Sequence, residues 1–238
     1  MNTQQRSYGY SGPALTGNAP KMAASDISGP ILDTERIRVA ESHFKPHDVV
    51  WTAAKIGRLW DYYANSRDHD TKYFGSVSGK QVATLVRRKR LLSGAGHILD
   101  LSCGKGHLIT HLSSRLSRQQ YISGLDFSPA SVEETRLRNV DNDRFSGSYL
   151  IESWPCSLGD QTQDLILLTE VIEHMTDGEI AAALNECRRL LRPGGNLLLT
   201  TPNNEALNLE KTLCPECGCI FHRGSISRLG LSRDFRSA

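Results

Sequence analysis

HILDLSCGKGHL, His97 to Leu108, runs from an apolar stretch through an aspartate into the tight turn Gly104-Lys105-Gly106 and out into a second apolar stretch. A short apolar run closed by a glycine turn reads as a buried strand, and the turn opens a helix near His107 to Leu116. The same unit then repeats. Strand YISGLDFS (121–128) leads into a helix opened by Ser128-Pro129 and running to about Asn139, because proline is tolerated at a first helical position. A weaker strand at Ser146 to Glu152 precedes DLILLTEV (164–171). A helix from Asp177 to Leu191 is ended by Pro193-Gly194-Gly195, and strand NLLLTT (196–201) follows. Strand after helix after strand implies parallel pairing through right-handed crossovers, with a ligand at the carboxyl ends of the strands where their order reverses. The fold class is α/β, a doubly wound, mostly parallel sheet.

Outward from this core, residues 1–42 are rich in Ser, Gly, Ala, Pro and Asn without a sustained apolar period, the composition of a disordered segment. Residues 43–94 turn helical: Trp51, Ile56, Leu59, Trp60 and Tyr63 recur at steps of three and four, and Val82, Leu85 and Val86 precede a basic run, Arg87 to Arg90. They are expected to form a helical cap on the core of residues 95–203, with the basic run a solvated helix end favourable to the macrodipole. Residues 204–238 form a tail containing CPECGCIFH and then a Ser/Arg/Gly run too poor in apolar residues for a further strand pair.

The 238 residues carry 28 basic and 26 acidic side chains, a formal charge of +2 that selects neither nucleic acid nor a membrane surface. The N-terminus lacks a basic segment followed by an apolar one, and no run of about 18 apolar residues occurs, so a cytoplasmic protein is expected.

The glycine turn fits neither familiar phosphate cradle. A dinucleotide fingerprint needs a third glycine where Ile109 stands, and a Walker-type loop needs Gly-Lys-Ser/Thr, which does not follow Lys105. Asp100, ending the first strand, would repel a pyrophosphate and favour a cationic ligand carrying an ammonium group. S-adenosylmethionine is such a ligand. Asp126, ending the next strand, stands where a carboxylate accepts the hydroxyl protons of an adenosine ribose, although a lone aspartate there is more often a cap or turn former.

DLSCGKG, GLDFSP, DLILLTEVIEH and LLRPGGNLLLTTPN together resemble the successive motifs of class I S-adenosylmethionine-dependent methyltransferases, over roughly residues 95–203. The resemblance implies that Gly104 and Gly106 let the backbone approach the methionine part, with Ser102 in the same turn. It implies that Asp100 holds the amino end, Asp126 the ribose, and Phe127 lies against the adenine. Glu152 and Ser153 would stand near the adenine amine, and Thr169 and Glu170 would face donor and acceptor. Sheets of this family end in a β-hairpin, which the tail is expected to lack.

EVIEH supplies Glu170, Glu173 and His174. Three roles compete: rim structure, an acid/base role in which His174 takes the proton of an acceptor hydroxyl, and a metal site. EVIEH resembles the segment of ubiquinone-pathway O-methyltransferases and also that of small-RNA 2'-O-methyltransferases, in which both glutamates and the histidine bind metal. Cys214-x-x-Cys217 with Gly218 has the spacing of a zinc knuckle, with His222 as a third ligand and Cys219 as a spare.

The expected activity is methyl transfer from S-adenosylmethionine, with His174 and Glu170 as the catalytic pair. The acceptor is an oxygen or nitrogen of a small molecule first, a carbohydrate or lipid precursor next and RNA last. A donor-binding protein without turnover is the alternative, and a nicotinamide oxidoreductase is disfavoured by Ile109 and Asp100.

Overall fold

In the computed structural model, which describes residues 52–202, 211–213 and 220–222, the apolar runs become five parallel strands. They are β1 (His97–Leu101), β2 (Tyr121–Asp126), β3 (Phe145–Leu150), β4 (Gln163–Thr169) and β5 (Leu191–Thr200). Their order across the sheet is β3-β2-β1-β4-β5. The chain steps outward from β1 to β3 and then crosses to β4 on the other side of β1, so the direction of winding reverses between β1 and β4. Right-handed crossovers then put the helices of the two halves on opposite faces, and a crevice opens at the carboxyl ends of these two strands.

Both faces of the central strands are buried, which is why they read as continuous apolar runs rather than as alternation. Ile98, Ile122, Leu165 and Leu167 face one side, packing with Val82, Ala83 and Val86 of α2 (Phe74–Arg88) and with Leu108, Ile109 and Leu112 of α3 (His107–Ser113). Leu99, Leu101, Leu125, Ile166 and Leu168 face the other, packing with Ala183, Cys187 and Leu190 of α5 (Asp177–Leu190). Each fully buried leucine or isoleucine contributes about 2 kcal/mol from removal of its surface from water, and the central strands hold most of them.

The helix boundaries follow local chemistry. α1 (Ala53–Asn65) starts after Thr52, whose side chain accepts the Lys55 N–H, and α4 (Pro129–Arg138) starts after Ser128, whose side chain accepts the Ser131 N–H with Pro129 at the first turn. Thr176 and Glu179 form a reciprocal capping box on α5. A 3-10 segment, Arg67–Lys72, joins α1 to α2. Arg87 and Arg88 end α2 exposed, in the expected position of a solvated helix end.

Two details differ from the sequence reading. Pro193-Gly194-Gly195 lies inside β5 rather than before it: the ladder pairs Gln163 with Leu191, slips, and resumes with Leu165 opposite Asn196. Gly194 accommodates the slip at a φ of +81°. The tail also carries two three-residue strands, β6 (Lys211–Leu213) and β7 (Ile220–His222), paired antiparallel as a ribbon separate from the main sheet. Among the described residues the main sheet has five strands, and no helix is long and apolar enough to cross a membrane. Residues 1–42, expected to be disordered, lie outside the described residues.

Candidate active site at the carboxyl ends of the strands

Three residues of the turn after β1 adopt left-handed backbone: Ser102 at φ +61°, Gly104 at +53° and Gly106 at +72°. Glycine does so without cost, whereas the serine stores about 1–2 kcal/mol of strain. Its Oγ is buried and has no hydrogen-bond partner among the described residues. A strained residue presenting an unsatisfied polar atom to a cavity marks a place where something binds.

The turn is held in place by β2 and α4. Gly104 N–H donates to Asp126 Oδ2 at 2.9 Å, Ser128 N–H donates to Asp126 Oδ1 at 2.9 Å, and Thr135 Oγ1 donates to Gly104 O at 2.8 Å. Asp126 is therefore the organiser of the glycine turn as well as a candidate ligand group. Gly106 serves packing. A Cβ there would stand 2.8 Å from Asn139 Nδ2 and 2.9 Å from Thr135 Cγ2, so the glycine lets α4 close against the turn.

Asp100 and Asp126 are both buried, 2% and 7% exposed. Burial pushes the Asp100 carboxyl up to about 8, with the charge of Asp126 adding to the rise. Burial also lifts Asp126, to about 6, against the backbone N–H groups of Ser128, Gly104 and Phe127 that stabilise its ionised form. Two neighbouring buried carboxyl groups, with no cation among the described residues shifting either of them, are a candidate site for a positively charged ligand.

These groups form the floor of a cavity of about 480 Å³, to which Asp100, Ser102, Gly104, Asp126, Phe127 and Thr169 all contribute. Of the residues expected from sequence to hold the donor, Glu152 and Ser153 are exposed and lie outside this lining, and Gly106 lies behind the turn. The Phe127 ring meets Trp154 edge-on at 5.4 Å.

The roof comes from the N-terminal helices and from the segment after β4. Trp60 and Tyr63 of α1 and Phe74 of α2 line it, facing Glu170, Glu173, His174 and Met175. Glu170, immediately after β4, is left-handed at φ +54°, a second strained non-glycine residue in the lining. His174 ends a 3-10 turn, Ile172–His174, and its ring stands edge-on to Trp60 with centroids 4.8 Å apart. Glu173 accepts a hydrogen bond from Thr201 Oγ1 at 3.2 Å and lies 3.8 Å from His174 Nε2.

The metal reading of EVIEH is corrected here. The helical turn spans only Ile172–His174, so Glu170 does not share a helical face with Glu173 and His174. Among the described residues no group of three His, Cys, Asp or Glu side chains is placed to hold an ion. Cys214 and Cys217 of the expected zinc knuckle lie outside the described residues, and of His222 only the backbone is described, at the end of β7.

Sequence reasoning missed the roof contact between Trp60 and His174, which are remote in the chain and meet only through the fold. It also missed Asp70, whose Oδ1 lies 3.4 Å from both Lys105 Nζ and His107 Nε2 and 3.2 Å from an Arg138 guanidinium nitrogen. Burial works to raise Asp70, but the cations around it prevail, Arg138 first, and hold the carboxyl below its usual range.

Residues 98–195 match a family profile described as "Methyltransferase domain". The ubiquinone biosynthesis O-methyltransferase of Xanthomonas oryzae pv. oryzae is 33% identical over 166 residues, covering 69% of this chain and 64% of that protein. The ubiquinone/menaquinone biosynthesis C-methyltransferase UbiE of Geobacter sp. (strain M21) is 29% identical over 145 residues, covering 56% of this chain and 60% of that protein. The chain thus spans under two thirds of the length of these curated relatives. Among solved structures, a SAM-dependent methyltransferase of Leishmania major shares the fold at a TM-score of 0.50 and 18% identity, covering 74% of this chain and 65% of that one.

Proposed function

We propose that the chain, whose residues 98–195 match a methyltransferase-domain profile, transfers a methyl group from S-adenosylmethionine to an oxygen or nitrogen of a small-molecule acceptor. One observation carries the reading: a single cavity joins the acidic floor at the strand ends to the aromatic roof under α1. When bound, the donor supplies an electrophilic methyl carried on a positively charged sulfur.

The chain's own residues divide the work. Asp100 receives the ammonium, the acceptor capacity left on Asp126 takes a ribose hydroxyl, and Phe127 lies against the base. Ser102 Oγ, buried and unsatisfied, gains a partner. At the roof, His174 takes up the proton that the acceptor releases and Glu170 supplies negative charge beside it. Trp60 keeps the imidazole in place and, with Tyr63 and Phe74, excludes water from the reacting groups. The names of the curated relatives, one an O-methyltransferase and one a C-methyltransferase, support a small molecule over RNA as the acceptor and support oxygen first.

Calorimetric titration with S-adenosylhomocysteine and with NAD tests the donor assignment. S-adenosylhomocysteine is expected to bind and NAD to give no heat, because Asp100, neutral or ionised, offers a pyrophosphate no positive charge. In addition, Ile109, where a dinucleotide site needs glycine, is fully buried between the helix and the sheet. Binding of NAD in preference would overturn it.

A further inference from the structure

The methionine end of the proposed donor is a zwitterion, so a site that holds it needs both signs of charge. Asp100 meets the ammonium; nothing assigned so far meets the carboxylate. The same cavity is lined by Lys72, Lys105 and His107 as well as by Asp100. Lys72 is exposed. Burial first, then the neighbouring Arg138, holds the His107 imidazole below its ordinary value, against its cationic form.

Lys105 is different. It lies between the two glycines of the turn, yet its side chain is only 6% exposed. Its ammonium stands 5.5 Å over the Tyr73 ring and 3.4 Å from Asp70, a carboxylate shared with His107 and Arg138 and itself 37% exposed. Arg138 Nε donates to Lys105 O at 2.8 Å, which fixes the residue's backbone. Among the described residues, one shared, half-exposed carboxylate leaves the three donors of a buried ammonium under-used.

We propose that Lys105 is the counter-ion for the α-carboxylate of the donor, so that Asp100 and Lys105 together read its amino-acid end. This rests on the reading that the donor is S-adenosylmethionine. A buried lysine also has a purely structural role open to it, that of tethering Asp70 and the 3-10 segment to the turn. The two roles separate on ligand choice.

The experiment compares S-adenosylhomocysteine, which has the carboxylate, with 5'-methylthioadenosine, which keeps the nucleoside and thioether but lacks the amino-acid end. Titrations use the full chain, Lys105→Met and Asp70→Asn. Lys105→Met is expected to weaken S-adenosylhomocysteine by about 30-fold, the loss of a charge-assisted hydrogen bond, and to leave 5'-methylthioadenosine within twofold. Asp70→Asn is expected to keep both affinities within threefold, since it removes the tether and not the counter-ion. An equal loss of both ligands in Lys105→Met, no loss of either, or an Asp70→Asn variant that reproduces the Lys105→Met profile would each overturn the proposal. Failure of the unmodified chain to bind S-adenosylhomocysteine would instead remove the donor reading beneath it.

Discussion

Asp100→Asn is expected to make the free protein more stable at alkaline pH while weakening the donor by about 30-fold. The two effects share one cause. In the free protein Asp100 is buried beside Asp126, and its carboxyl is pushed up to about 8 from a value of 3.8 in the unfolded chain. Between these values the unfolded chain has lost the proton and the folded chain has kept it, so folding stability falls as pH rises through the window. Asp126, raised to about 6, acts with the same sign over the lower part of that window. Asparagine does not titrate, so the variant's advantage should be largest above pH 8 and should vanish toward pH 4. Thermal denaturation across this range checks the first half. Titration with S-adenosylmethionine at pH 8 checks the second, where the loss of a charged partner for an ammonium costs about 2 kcal/mol. A variant that binds the donor normally, or that is less stable than its parent at pH 9, would contradict the role given to Asp100.

His174→Ala is expected to slow methyl transfer to a phenolic acceptor by about 100- to 1,000-fold, the usual worth of a positioned general base, with donor affinity unchanged within twofold. The separation follows from geometry. His174 lies in the roof against Trp60 and not among the floor residues proposed to hold the donor. The acceptor series gives a second readout: acceptors with more acidic hydroxyls should lose less rate. If His174 only shapes the rim, KM for the acceptor should rise with kcat preserved.

How much of this was legible in the sequence depends on whether the signal was local. The five strands and three crossover helices were, because a strand buried on both faces leaves an unbroken apolar run, a glycine turn opens the first helix and Ser128-Pro129 opens the second. The floor of the site was legible for the same reason: the glycines and both aspartates stand at strand ends within a few residues of the apolar runs. Even there, the double hydrogen bonding that makes Asp126 organiser of the turn shows only when β1 and β2 lie side by side. Of the roof, Glu170, Glu173 and His174 were legible in EVIEH, but their meeting with α1 was not, since nothing in the sequence near Trp60 announces His174. Lys105 stood within the quoted motif but read as a residue between two glycines. That its ammonium turns into the protein depends on Tyr73 and Asp70, which lie on another segment. The ribbon β6–β7 escaped because a strand of three residues carries no period.

The central claim is that the strand ends hold a carboxylate whose charge is completed by a cationic nucleoside. Calorimetry of S-adenosylmethionine binding at pH 7, repeated in buffers of different ionisation enthalpy, counts the protons exchanged on binding. Asp100, largely protonated in the free protein and ionised against the ammonium, should release close to one proton per site. Binding with no proton released, or with net uptake, would contradict it.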